Sequence, residues 1–475
     1  MTPDVLVIGA GPAGLAAALA ARRVGAVVVL LDASDYVGGQ YWRHLPVTRP
    51  ARNQSVLHHG WSNFSAMRDE LESDPRCEIV TGAHVVAIDG SGVHVLVGES
   101  DGTGRERRVI RAGAVVLATG AFDRVLPVPG WDLPGVFTAG GAQALAKGER
   151  VVVGERVVVA GAGPFLLPVA ASLYQAGSRV LGVYEASRTS RLLRHWLARP
   201  WELLGTPDKV GELAHYASGQ LRGRVPYHAG RAVTAIHGES RVTAVTVSAL
   251  DSSWKPLAGT ERTIEVDAVC LGHGFTPRLE LAIAAGCRLT RDRFVEVDAD
   301  LRTSVAPYFA AGEITGIGGV DLALAEGAIA GHVAAGGAPT DVVLHRARRA
   351  RNALGRFAAR LASAHAIGPN WSTWLDPSTI ICRCEEVTFG DLLSVSRASR
   401  ASGLRSLKLL SRAGLGPCQG RVCGRTVESL LEARAPGGHL SGDATMDRRP
   451  IATPIRLGEL ATWFDGPDSP DESLR

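Results

Sequence analysis

DVLVIGAGPAGLAAALAARRVGAVVVLLDAS, residues 4–34, changes its period twice. Val5 to Ile8 is a short apolar run, which reads as a buried strand. Glycines 9, 11 and 14 then interrupt it, an alanine-rich stretch follows with helical spacing, and a second Val/Leu run ends at Asp32. This is a strand–helix–strand unit from Val5 to Asp32. Gly9, Gly11 and Gly14 form G-x-G-x-x-G, with Pro12 and Ala13 inside the turn. The first glycine permits the tight turn, the second lets a pyrophosphate approach the backbone, and the third lets helix and strand pack closely. Free N–H groups and the helix dipole favour a diphosphate at that helix start. Asp32 stands where a carboxylate accepts hydrogen bonds from ribose hydroxyls. A lone GxGxxG says little. With strand, helix and acid in place it points to a dinucleotide, the alternative being a nucleotide fold that has lost its ligand.

RVVVAGAGPFLLPVAASLYQAGSRVLGVYEAS, residues 156–187, repeats the unit. Gly161, Gly163 and Pro164 match the first turn, but Leu166 stands at the third glycine position. A leucine there is expected to push the helix off the strand or to reshape the turn. Glu185 ends the second strand and suits a ribose, in the manner of NAD rather than NADP. Bound NAD, another adenine nucleotide such as ATP, and an empty structural fold all stay open for this second unit.

A third stretch lies near the C-terminus: ICRCEEV at 381–387 and GLGPCQGRVCG at 414–424. Cys382 and Cys384 form C-x-C; Cys418 and Cys423 form C-x-x-x-x-C. Four thiolates from two short loops are what a 2Fe–2S cluster requires, two sulfurs per iron. Structural zinc also takes four cysteines, though its usual knuckles are C-x-x-C pairs. Disulfides are disfavoured, since nothing marks the chain as secreted. Cys77, Cys270 and Cys287 share no motif, and residues 1–375 hold no CxxC or CxxxxC pair of the kind a disulfide reductase needs. Cys270 reads as a buried strand residue.

The pattern CxCEEV…GPCQGRxC resembles the cluster module related to bacterioferritin-associated ferredoxin. Fused behind two nucleotide folds, it resembles the A (alpha) subunits of opine oxidases, of hydroxyproline and proline dehydrogenases, and of hydrogen cyanide synthase. The alpha subunit of heterotetrameric sarcosine oxidase is a more distant relative. The resemblance implies an α/β chain of two Rossmann-like dinucleotide-binding domains, the second inserted in the first in a disulfide-reductase-like arrangement. A small helical 2Fe–2S domain would follow. In such flavoproteins the turn Gly38-Gly39-Gln40 lies beside the ribityl chain and flavin. Ala118-Thr119-Gly120 lies near the FAD pyrophosphate, and the Gly312-Glu313 turn offers an acid to a ribityl hydroxyl. Here that acid is one methylene longer than the usual aspartate. Tyr41 and Trp42 are candidates to pack on the flavin or in the core. A helix starting near Gly319 would aim its N-terminus at the flavin pyrimidine.

The expected domains are 1–145 with 290–338 for FAD, 151–280 for the inserted fold with a helical insert at 188–227, a linker helix in 340–375, the cluster domain at 376–435, and a strap and disordered tail at 436–475. Two segments carry a choice. The insert, with Trp196 and Trp201, is either an amphipathic cover or a docking surface. The arginine-rich helix 345–361 reads as a solvated linker. His273, in a Gly-rich hinge, reads as a turn residue.

The chain holds 51 basic and 47 acidic residues, a net charge of +4, which argues against a nucleic-acid partner. The first apolar run stops at Gly9, too early for a signal peptide, and no apolar run has the length of a membrane span. A cytoplasmic protein is expected, attached to the inner membrane only through a complex. FAD takes a two-electron equivalent and a 2Fe–2S cluster takes single electrons, so together they make an electron splitter. The residues show no catalytic set of their own. The resemblance implies that a separate beta subunit of the D-amino-acid-oxidase/sarcosine-oxidase type carries its own flavin and oxidises the amine. A small third subunit, an FMN at the partner interface, and a quinone or soluble carrier as acceptor complete that expectation. Two other classes compete: a self-contained NADH-dependent reductase, and a non-catalytic scaffold in which the cluster only holds the fold.

Overall fold

The computed structural model describes residues 2–46, 48–49, 54, 58–100, 102–198, 200–205, 211, 225–398, 404–433, 447–449 and 451–461. Its first sheet is parallel throughout, in the order Tyr308–Ala310, Ala114–Leu117, Val5–Ile8, Val28–Leu31, Cys77–Val80. The three central strands are VLVI, VVLL and AVVL, buried at every position. Unbroken apolar runs of this kind belong to a sheet covered on both faces. Helix Pro12–Val24 follows the first strand, and helix Val320–Ala334 crosses it closely. A Cβ on Gly327 would sit 2.1 Å from the Ala13 carbonyl oxygen, and one on Gly331 2.0 Å from that of Ala17. The two backbones therefore touch, which explains the small-residue stripe in both sequences.

A second parallel sheet runs Tyr227–Ala229, Arg179–Glu185, Arg156–Gly161, Ala268–Gly272, Val136–Thr138. It lies between the strands of the first in sequence, so the second nucleotide fold is inserted in the first. The chain crosses between them along an antiparallel ribbon, Ala121–Asp123 against Phe275–Pro277, with Phe275 opposite Asp123. Leu166 reshapes the turn, as expected. The first helix starts three residues after Gly9, the second five after Gly161, at Leu166 itself, which is buried beside Gly272.

The cysteine segment folds as strands Ile380–Cys382 and Val387–Thr388 and helices Phe389–Ala398, Leu404–Ser411 and Gly424–Glu432. Its core is continuous with that of the inserted fold. Trp254 and Trp374 stack at 5.8 Å between ring centres, tilted by 11°, and the Trp374 indole donates to the Trp254 carbonyl at 2.8 Å. Such a stacked pair adds about 0.5–1.5 kcal/mol beyond its buried area. The Trp131 indole reaches the Ile380 carbonyl at 2.6 Å.

Helix Leu344–Ala364 corrects the solvated-linker reading. Leu354 and Phe357 are buried in it. Arg351 pairs with Glu326 at 3.2 Å, and Arg360 with Glu202 at 2.9 Å. The charges on one face are ties to both nucleotide folds; Arg346, Arg349 and Arg356 line the other. Within the insert, helix Thr189–Leu197 packs Trp196 against Phe357, while Trp201 is exposed. Residues 206–210 and 212–224 lie outside the described residues, as does much of the C-terminal segment. Its described part forms a strap: Ala452 N–H donates to the Val86 carbonyl at 2.7 Å, and Thr453 Oγ1 to that of Val85 at 3.1 Å. His273 lies in the two-residue connection between strands Ala268–Gly272 and Phe275–Pro277, as expected; it is buried there, its Nδ1 receives the Leu126 N–H at 3.3 Å, and burial lowers its pKa to about 3.

Candidate cofactor sites

The first glycine turn is as tight as its sequence demands. Gly9 has φ +103°, and a Cβ on Gly14 would come within 1.7 Å of the Gly9 carbonyl oxygen. Gly39 lies over Gly11, so close that a Cβ there would meet Gly11 Cα at 2.8 Å. Gly38 N–H donates to the Ala10 carbonyl at 2.8 Å and fixes this approach. Asp32 is buried at the end of its strand and receives Ala10 N–H at 2.6 Å and Ser34 N–H at 2.8 Å. Ala118 continues the sheet through its N–H to Ile8, Thr119 Oγ1 donates to the Arg278 carbonyl at 2.8 Å, and space is open beside Gly120. Gln40 is exposed at the rim. A cradle that side chains would fill, with an acid at its edge, fits a dinucleotide.

Trp42 is core. It is 1% exposed, stacks on Phe64 at 5.1 Å, and donates its indole N–H to the His59 carbonyl at 3.0 Å. Tyr41 packs edge-on against it at 5.4 Å.

The Gly312-Glu313 turn holds two acids. Glu313 receives Gly319 N–H at 2.7 Å and Gly318 N–H at 3.4 Å, so it caps the start of helix Val320–Ala334. Burial raises its pKa to about 7. The second acid, Glu326, was not legible as a site residue. It is buried, takes Gly312 N–H at 2.9 Å and the Thr315 hydroxyl at 2.6 Å, and pairs with Arg351. Its sequence signal is slight: with Asp321 it is one of two acids in a helix of mostly small and apolar residues.

In the second fold, Gly161 sits against the Gly272 carbonyl, where a Cβ would come within 1.6 Å, while space is open beside Gly163. Glu185 is fully buried and receives Gly163 N–H at 2.8 Å and Ser187 N–H at 2.8 Å. His365, the residue that ends the linker helix, adds Nδ1 to the same carboxylate at 3.2 Å. The sheet thus brings Gly161, Gly163, Pro164 and Glu185 together, and a distant histidine closes on the acid.

The four cysteines of the C-terminal module converge. Cys382 lies beside Cys423, and Cys384 beside Cys418, close enough for each pair to perturb the other's titration. Cys382 and Cys423 are buried, Cys418 is half-buried and Cys384 is exposed. The neighbouring Cys423, followed by backbone N–H groups of Gly414, Glu385 and Cys384, lowers the Cys382 pKa to about 6. The neighbouring Cys382, then burial, raises the Cys423 pKa. Gly416 lets the two loops meet, since a Cβ there would lie 2.2 Å from Cys384 Cβ. Arg412 ties them further through Glu385 at 2.7 Å. Among the described residues no group of three or more His, Cys, Asp and Glu side chains is arranged to hold a single metal ion; the thiols stand as two pairs. Burial pushes Cys77 up to about 11 and Cys270 up to about 12, so neither is a ready thiolate.

A family model described as pyridine nucleotide-disulphide oxidoreductase matches residues 3–331. The chain is 33% identical to the A subunit of opine oxidase from Rhizobium meliloti (strain 1021), over 96% of this chain and 98% of that one. It is 32% identical to the HcnB subunit of hydrogen cyanide synthase from Pseudomonas aeruginosa, over 91% and 93%. In fold it is similar to L-proline dehydrogenase from P. horikoshii, with TM-score 0.65, 19% identity, and coverage of 97% of this chain and 79% of that structure. The glycine cradle, the buried acid beside it and these matches make the chain a member of the pyridine nucleotide-disulphide oxidoreductase family, homologous to the A subunit of opine oxidase and to HcnB, and an FAD-dependent oxidoreductase.

Proposed function

We propose that this chain is the electron-transfer subunit of a hetero-oligomeric dehydrogenase or oxidase acting on secondary amines or amino acids, of the opine, hydroxyproline, proline and sarcosine class. Its relatives by name are subunits of opine oxidase and hydrogen cyanide synthase. The observation that carries the reading is the pairing of Cys382 with Cys423 and of Cys384 with Cys418. Two thiol pairs with backbone N–H groups turned toward the sulfur match two irons with two protein sulfurs each. FAD in the first cradle would supply two-electron chemistry, and a 2Fe–2S cluster on the four cysteines would supply single-electron steps.

The chain's own residues do the holding. Gly11, Pro12, Ala13 and Gly14 present backbone to the diphosphate, Asp32 faces the adenosine ribose, and Ala118 to Gly120 and Gly39 bound the cradle. Glu313 fixes the start of helix Val320–Ala334, whose dipole favours negative charge at its N-terminus. The amine site, in this reading, belongs to a partner that bears its own flavin. The competing reading, a self-contained NADH reductase, is weakened by the His365–Glu185 contact over the ribose position of the second fold.

Anaerobic co-purification tests this. The protein, isolated with its partner, is expected to carry flavin, and iron and sulfide in equal amounts. Its visible spectrum should bleach with an amine substrate only when the partner is present. Zinc in place of iron, or rapid bleaching of the isolated chain by NADH, would overturn it.

A further inference from the structure

Arg124 follows directly on the ribbon strand that leaves the Ala118-Thr119-Gly120 turn. Its Nη2 donates to Ser429 Oγ at 3.2 Å, while its Nε is buried and unpartnered. Among the described residues no carboxylate forms an ion pair with it. Glu428, the nearest fully buried acid, already receives Arg425 at 2.8 Å and Arg293 at 3.2 Å. Burial, and next the Arg425 guanidinium, lower the Arg124 pKa to about 10. Glu428 and Glu432 favour its charge from a distance without forming an ion pair with it, so the half-buried guanidinium is only partly compensated.

Arg124 lines a cavity of about 410 Å³. Phe275 and Pro277 of the opposite ribbon strand, the turn Arg291–Phe294, and Arg425 and Glu432 of the helix after Cys423 form its other walls. The volume is within the usual ~300–1,000 Å³ of small-molecule sites. Arg124, Arg291, Arg293 and Arg425 outnumber the lining carboxylates Asp292, Glu432 and Asp447, and Phe275, Phe294 and Leu279 supply an apolar wall.

We propose that this cavity binds a small organic anion, its carboxylate or phosphate group held by Arg124 and Arg425 and its apolar part against Phe275 and Phe294. The guanidinium fork matches either oxyanion. The site joins the segment leaving the flavin cradle to the helix that starts at Cys423, so its occupant would brace one against the other. The proposal does not depend on which redox groups the chain carries.

The test uses the full chain in buffer free of oxyanions, titrated by calorimetry with inorganic phosphate and, separately, succinate. Binding of one ion per chain is expected for at least one of them, with affinity lowered at least ten-fold in Arg124→Met. Phosphate alone or succinate alone identifies the head group. Phe294→Trp fills the cavity while leaving every charge in place, and is expected to lose binding too. Without ligand, Arg124→Met should unfold at or above the parent's temperature, because it removes a half-buried charge that has no ion-pair partner among the described residues. No saturable binding to the parent, or equal binding by both variants, overturns the site.

Discussion

His365 Nδ1 lies 3.2 Å from Glu185 Oε2, joining the end of the linker helix to the acid of the second nucleotide fold. The corresponding acid of the first fold, Asp32, receives hydrogen bonds from backbone alone among the described residues. The same position in two copies of one motif is therefore met by backbone in the first and also by a side chain from a distant helix in the second. NADH and ADP-ribose should bind the parent weakly. His365→Ala should raise their affinity several-fold by uncovering Glu185, while lowering stability by about 1–3 kcal/mol through the lost buried hydrogen bond. Equilibrium dialysis and denaturant unfolding measure the two effects.

Gly14→Ala places a methyl 1.7 Å from the Gly9 carbonyl oxygen, with no flexible side chain to give way. Overpacking of this kind costs about 1–3 kcal/mol or more. The variant should be purified with little or no flavin, read from its visible absorbance. Normal flavin content would contradict the placement of the cofactor.

Cys382→Ser should lose iron and sulfide together. Cys382 is buried, so replacement by the smaller and more polar Ser also disturbs its packing and should lower the melting temperature. Cys384→Ser, at an exposed position, should lose iron with a smaller change in melting temperature. Retention of full iron in both variants would remove these cysteines as ligands.

Glu313 titrates near 7 in the folded chain because it is buried, against a carboxylate value of 4.5 when unfolded. Between those values the folded state binds the extra proton, so the group's contribution to stability falls as pH rises through the window and is constant above it. The span corresponds to roughly 1–3 kcal/mol after allowing for partial solvent access. Unfolding of Glu313→Gln, followed from pH 5 to 8 (about the window in question), should lack this slope.

Trp374→Ala removes one half of the stack with Trp254. A loss of about 3–5 kcal/mol is expected. Since the cysteine module and the inserted fold share one core, the two should unfold in one transition in the parent and separate in the variant. Circular dichroism and iron release, followed together, report this.

The parts that sequence revealed are those in which neighbours along the chain do the work. Gly9, Gly11, Gly14 and Asp32 could be read because a turn, a helix start and a strand end impose residue types at fixed spacing. Leu166 announced a changed turn for the same reason. The four cysteines were visible as candidates, but not their pairing of Cys382 with Cys423, which depends on how two loops fold over one another. His365 reaches Glu185 across 180 positions, and Arg124 reaches Ser429 across 305, distances at which no local pattern survives. The arginines of helix Leu344–Ala364 looked solvated because their partners, Glu326 and Glu202, lie on other elements.

The sheet begun at Val5 receives its outer strand only at Tyr308–Ala310, and helix Pro12–Val24 receives its cover only at Val320–Ala334. A growing polypeptide emerging from the ribosome would therefore display the edge of Ala114–Leu117 and a bare alanine stripe while the whole inserted fold is being made. The inserted fold has its own sheet and can settle first, against the chain order in which the two begin. A fragment ending before Tyr308 is expected to aggregate rather than wait, so the smallest expressible unit of the flavin half extends to at least Ala334.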